Sequence, residues 1–128
     1  MADAKTCRVV VIEDDDLTRS AYIRILQSVD RLEVEAFSDG AGGLKRILED
    51  PPALVITDLY HPAPLGIEII ERIRAKPRLR SMQVWVISGK ASTLAGAQAL
   101  EAGANEYVMK PFTKEIIADK LRALNLVS

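Results

Sequence analysis

Four near-continuous apolar runs recur along the chain, and each leads into a polar residue. Val9–Ile12 runs into Glu13 and Asp14, Leu54–Thr57 into Asp58, Val84–Ile87 into Ser88, and Tyr107–Met109 into Lys110. Short apolar runs without strict alternation suit strands buried on both faces, as in a parallel sheet. With a fifth stretch between helices one and two, the pattern predicts strands at Arg8–Ile12, Glu33–Phe37, Leu54–Thr57, Gln83–Ile87 and Glu106–Met109. Helical spacing appears after each. Helix one follows Asp16 as N-cap and carries Leu17, Ala21, Tyr22, Ile25, Leu26 and Val29 on one stripe. Helix two spans about Ala41–Glu49 and is stopped by Pro51 and Pro52; helix three carries Ile67, Ile69, Ile70 and Ile73. Helix four is alanine-rich over Thr93–Ala102, with Gly103 as C-cap. Helix five opens after Thr113 and carries Ile116, Ile117, Leu121 and Leu124.

Five strand–helix alternations predict an α/β fold of (βα)5 type: a five-stranded parallel sheet with helices on both faces. No repeat, linker or low-complexity stretch interrupts the pattern, so residues 1–128 read as a single domain. Open α/β sheets bind ligands outside the carboxyl ends of their strands. Three carboxylates, a hydroxyl and an ammonium group are therefore expected along one sheet edge.

Each of these residues has an ordinary explanation when taken singly. Glu13 and Asp14 repel one another unless a cation joins them, and Mg²⁺, which prefers oxygen ligands, is the expected cation. Alternatively Glu13, Asp14, Asp15 and Asp16 form an acidic helix start that complements the helix dipole. Asp58 ends an apolar strand, where a lone charge is costly, and a carboxylate can accept a phosphoryl group as an acyl phosphate; its ordinary explanation is a turn residue. Lys110 can pair with the carboxylates and then with a phosphoryl oxygen, or be a surface lysine. Ser88 can donate to a phosphoryl oxygen, or simply precede Gly89 in a turn. Polar groups of this kind at four separate strand ends make coincidence a poor account.

Composition adds mainly exclusions. Of 128 residues, 48% are hydrophobic and 27% charged, as in ordinary globular domains. A net charge of −1 gives no electrostatic case for direct nucleic-acid binding or an anionic membrane. No run approaches the roughly 18 apolar residues of a spanning helix, and no signal peptide is visible, so neither membrane insertion nor export is expected and a cytoplasmic location fits. Cys7 is the single cysteine, which excludes an intramolecular disulfide.

The chain resembles the receiver domain of two-component response regulators, with a chemotaxis-regulator-like fold. The matching pieces are Val11–Asp16 with Arg19, Thr57–Asp58 with Pro62 and Gly66, Ile87–Gly89, and Gly103–Phe112, an ordered set spanning nearly the whole chain. The resemblance implies a doubly wound sheet of order 2-1-3-4-5. By position it makes Asp58 the phosphoacceptor, with Glu13, Asp14, Asp58 and the carbonyl of Tyr60 holding Mg²⁺. Ser88 and Lys110 would bind the phosphoryl group, and Ser88 and Tyr107 would form the switch; without the resemblance, Tyr107 reads as an ordinary strand-edge tyrosine. Glu13 stands where the family commonly has Asp, Ser88 where it has Thr, Gly89 where Ala is frequent, and His61 where Met or Leu is usual. His61, the only histidine, reads as a loop residue, and Pro64 stiffens the same loop.

The implied function is phosphotransfer signalling rather than enzymology. A histidine kinase or histidine phosphotransfer protein donates to Asp58, and the product switches a surface that docks an output partner or effector domain; a phosphorylation-dependent homodimer is compatible with this. The chain ends at Ser128, just after helix five, where an excised N-terminal receiver of a DNA-binding or enzymatic regulator would also be cut. A binding module without phosphorylation sits poorly with the intact set Glu13, Asp14, Asp58, Ser88 and Lys110. A haloacid-dehalogenase-like phosphatase needs a second Asp two residues after the nucleophile, where this chain has Tyr60.

Overall fold

The apolar runs form the strands, and their neighbours set the order. A computed structural model of the chain describes residues 6–59, 66–88, 93–109 and 113–124, with the backbone alone at Ser88 and Thr93. Strands β1 (Cys7–Ile12), β2 (Leu32–Phe37), β3 (Leu54–Thr57), β4 (Gln83–Ser88) and β5 (Glu106–Met109) pair in parallel in the order β2-β1-β3-β4-β5. The helices are α1 (Asp16–Gln27), α2 (Gly40–Glu49), α3 (Gly66–Arg74), α4 (Thr93–Ala102) and α5 (Lys114–Ala123). A short 3-10 turn at Pro77–Leu79, absent from the sequence reading, follows α3. This is the doubly wound α/β architecture implied by the resemblance.

Both faces of the sheet are covered, as the run pattern of the central strands requires. Alternate β1 residues point to opposite sides. Val10 and Ile12 join a core with Ile47 of α2, Ile69, Ile70 and Ile73 of α3, and Ala95 and Ala99 of α4. Val9 and Val11 join Tyr22 and Leu26 of α1 and Ile117 and Leu121 of α5. All four residues of β3 are buried. Trp85 is fully buried on the α1–α5 side, and its indole N–H reaches Gln83 Oε1 at 3.3 Å, so the polar end of the ring has a partner. β2 is an edge strand and keeps its glutamates outward: Glu33 is exposed, and Glu35 meets Arg8 at 2.9 Å and Arg46 at 3.0 Å. The Arg46 hydrogen bond, then that of Arg8, holds the Glu35 carboxyl below the usual carboxylate range. These contacts tie β1, β2 and α2 together on the surface.

Two expectations for helix one need correction. Leu17 is 84% exposed and Ala21 is also exposed, so neither belongs to the buried stripe. Leu17 lies five residues before buried Tyr22, and at about 100° per residue that turns it well away from the sheet. The N-cap is Asp15, not Asp16: its carboxylate accepts from Thr18 N at 2.8 Å and from Thr18 Oγ1 at 2.7 Å. Asp16 is the first helical residue. The caps of the other helices follow ordinary rules. Asp39 accepts from Gly42 N, Thr113 accepts from Ile116 N, and Gly103 follows α4 with φ 124°.

At the sheet's opposite edge, Arg74 clamps the strand starts. Its guanidinium donates to the carbonyls of Gly103 (2.9 Å), Leu79 (3.2 Å) and Met82 (2.8 Å) and to Asn105 Oδ1 (2.7 Å). Asn105 Oδ1 also accepts from Val84 N at 2.8 Å. Burial pulls the Arg74 pKa below its ordinary value, so the hydrogen bonds must offset a desolvation cost. Arg74→Ala is expected to destabilise the fold by roughly 2–4 kcal/mol, because several carbonyls lose a charged donor at once. Arg74→Lys should recover only part of this, since an ammonium lacks the planar fork. Urea unfolding checks both, and wild-type stability for Arg74→Ala refutes the clamp.

Candidate functional site

Register brings the acidic strand ends together. β1 and β3 are neighbours, with Ile12 opposite Thr57, so Glu13 and Asp58 leave the sheet side by side. β3 in turn pairs with β4, Thr57 opposite Val86, and β4 with β5, Ser88 opposite Met109. The carboxyl ends of the three central strands thus carry Glu13 with Asp14, Asp58 and Ser88.

The local geometry differs from residue to residue. Glu13 is only 2% exposed, and its Oε2 accepts from Asp15 N at 3.1 Å. Its own N–H donates to Phe37 O at 3.0 Å, which extends the β1–β2 pairing by one residue. Asp14 is exposed. Arg19, one turn into α1, donates to Glu13 O at 3.0 Å and pairs with Asp16 at 2.6 Å. A guanidinium therefore pins the acidic turn from the helix side. Asp58 is partly exposed, directly after buried Thr57, whose hydroxyl donates to Asp58 O at 2.9 Å. Leu59 is buried at 3% exposure, anchoring the chain just after the acid.

Gly66 has a positional role that its place in the motif did not explain. Its N–H donates to Leu59 O at 3.2 Å. A Cβ built on it would lie 2.2 Å from Asp58 O and 2.8 Å from Leu59 Cα. The start of α3 therefore rests directly on the Asp58 peptide. Its signal in the sequence is its place in the receiver-domain motif after Asp58 and Pro62. Tyr107 is half-buried on β5, opposite Val86, and packs against the core beneath α4. Tyr60, His61, Pro62, Pro64, Gly89, Lys110, Pro111 and Phe112 lie outside the described residues, as does the side chain of Ser88.

The donor set suits a hard divalent cation, since Glu13, Asp14 and Asp58 offer only oxygen. A carboxylate as buried as Glu13 also gains from nearby positive charge. Among the described residues, no three Asp, Glu, His or Cys side chains group closely enough to hold a metal ion by themselves. Mg²⁺ does not need three: it is commonly held through one or two carboxylates, with water and phosphate completing the shell.

Comparison with known proteins places the chain in a family. Residues 9–122 match the family model of the response regulator receiver domain. The chain is 32% identical over 121 residues to the transcriptional regulatory protein CseB of Streptomyces coelicolor, covering 94% of this chain and 50% of that protein. It is 36% identical over 115 residues to the transcriptional regulatory protein KdpE of Mycobacterium tuberculosis, covering 90% and 50%. The chain thus spans about half the length of these relatives. Against the chemotaxis protein CheY-3 of Vibrio cholerae it is 26% identical over 117 residues, covering 91% of this chain and 90% of that one. Among solved structures, the signal receiver domain of the response regulator NarL from Mycobacterium tuberculosis superposes with a TM-score of 0.83 at 27% identity, covering 94% of both chains. Described helices long and apolar enough to cross a membrane are absent. Fold, strand-end acids and the match over 9–122 converge: this chain belongs to the response regulator receiver domain family of two-component signalling.

Proposed function

We propose that Asp58 accepts a phosphoryl group from a histidine kinase or histidine phosphotransfer protein, and that residues 1–128 act as one receiver domain. The observation that carries this is the strand register, which sets a partly exposed Asp58 beside Glu13 and Asp14 at the carboxyl edge of the sheet. In the transfer, an Asp58 oxygen attacks phosphorus and the phosphorus–nitrogen bond of the donor phosphohistidine breaks. Asp58 becomes an acyl phosphate, and the imidazole leaves with its electron pair and takes up a proton. Such transfers need positioning and charge neutralisation more than covalent assistance. Asp14, Asp58, Glu13 and the Tyr60 carbonyl would hold Mg²⁺, which when bound would neutralise phosphoryl oxygens. Lys110 pairs with one of those oxygens, and Ser88 donates to another. Movement of Ser88 toward the phosphoryl group frees space that Tyr107 fills, which remodels the surface of α4, β5 and α5.

Output then comes from a docked partner protein, from a phosphorylation-dependent pair of chains, or from an effector domain. The half-length coverage of CseB and KdpE, both transcriptional regulators, favours an N-terminal receiver of a multidomain regulator as the second form of this proposal.

Metal binding gives a direct test. Mg²⁺ titration by calorimetry should show one site in the wild type and none in the Glu13→Gln, Asp14→Asn double variant, with the fold retained. Relief of carboxylate repulsion should leave the metal-free variant at least as stable as wild type. Equal Mg²⁺ affinity in the two proteins sinks the metal assignment.

A further inference from the structure

Tyr107 lies against α4, and its contact point there is a glycine. Gly96 is a buried residue of α4, the fourth of its ten. A Cβ at this position would stand 3.2 Å from Tyr107 Cδ2 and 3.5 Å from both Cγ and Cε2. All three nearest atoms belong to one ring. Glycine in a helix interior weakens the helix relative to alanine. Here the missing methyl is the space the ring occupies. The ring is half-buried and packs on a core that includes Ala95, Ala99 and Ala104. Gly96 is thus a point of close approach between α4 and the tyrosine ring.

We infer that Gly96 is the seat of the Tyr107 ring, and that residue 96 sets the balance between this half-exposed position and an inward, fully buried one. The inference rests on the proposed role of Tyr107 as the switch residue and adds the element that tunes it. Side chains occupy discrete rotamers, so a crowded ring does not slide away freely. Adding a methyl group at 96 penalises the seated position alone. Any ligand that favours the inward ring then binds more tightly, because less free energy is needed to leave the seat. The helix gains intrinsic stability from the same change, so stability and switching respond through separable routes.

The test is Gly96→Ala in the full chain, read by NMR and by titration with beryllofluoride and Mg²⁺. In the wild type, Tyr107 ring protons should show close contacts to the Gly96 Hα protons; their absence overturns the seat. Gly96→Ala should displace the ring and raise beryllofluoride affinity roughly two- to tenfold, the range expected from crowding one side-chain rotamer. The Tyr107→Ala background separates ring from helix, since Gly96→Ala should there have no effect. An equal effect with and without the ring assigns the change to the helix and overturns the inference. Wild-type protein that takes up no beryllofluoride defeats the phosphoacceptor proposal, and the linkage with it. Normal uptake with unchanged affinity in Gly96→Ala defeats the role of Gly96 alone.

Discussion

Incubation with acetyl phosphate and Mg²⁺ should add one phosphoryl group to the wild type and none to Asp58→Asn. An amide is not a competent nucleophile toward phosphorus, so the expected loss is complete rather than graded. Asn is close to Asp in size, and the Asp58 carbonyl, which accepts from Thr57 Oγ1, is unchanged in the variant. The variant should therefore fold normally, and its failure to label reports chemistry. Other carboxylates serve as internal controls. Asp14, Asp15 and Asp16 are all exposed to the same reagent in the variant, so non-specific labelling would persist. Chelation of Mg²⁺ should suppress labelling of the wild type, because neighbouring negative charges then oppose the incoming phosphoryl group. Intact-protein mass spectrometry reads all three conditions. Undiminished labelling of Asp58→Asn would falsify the acceptor assignment.

Sequence carried the architecture well where burial is two-sided. The Leu54–Thr57 boundaries agree with the structure, where all four residues are buried and the strand lies between the Pro51–Pro52 stop and Asp58. β1 starts one residue earlier than expected, at Cys7, and β2 at Leu32, since both first residues already pair across the sheet. α1 was harder. Three consecutive aspartates each suit an N-cap, and only geometry shows that Asp15 accepts from Thr18. Leu17 illustrates a second limit: an apolar residue in the first turn mimics the stripe until the helix is placed on the sheet. Its 84% exposure follows from orientation, which periodicity alone leaves undefined.

The site was legible as residue types at strand ends, and much less as contacts. That Glu13 and Asp58 emerge from adjacent strands depends on β1 lying beside β3, an order the resemblance implied but spacing could not provide. Contacts made by the absence of a side chain are the least visible in sequence. Gly66 reads only as a motif glycine and Gly96 as part of an alanine-rich helix, yet each marks a close approach. Arg74 was equally hidden, because its partners are carbonyls contributed by residues from Leu79 to Gly103.

Gly66→Ala is expected to damage the acceptor site more than any other single methyl addition among the described glycines. The new Cβ would meet Asp58 O at 2.2 Å, Leu59 Cα at 2.8 Å and Asp58 C at 3.0 Å. These are backbone atoms next to the end of a fully buried strand, so no rotamer change can relieve the overlap. Either α3 lifts away from Leu59 or the Asp58 peptide tilts, and both move the acceptor carboxylate. Overpacking of this kind costs roughly 1–3 kcal/mol. A displacement approaching 1 Å at a reacting group lowers rates by about a hundredfold. Gly43→Ala is the matched control. Its Cβ would meet Ile12 Cγ1 at 2.5 Å and Cδ1 at 2.6 Å, atoms of a side chain rather than of the Asp58 backbone. Both variants should lose stability in urea unfolding. Only Gly66→Ala should label more than tenfold more slowly with acetyl phosphate, counted per folded molecule by circular dichroism. Wild-type labelling by folded Gly66→Ala would show that the contact supports the fold without positioning Asp58.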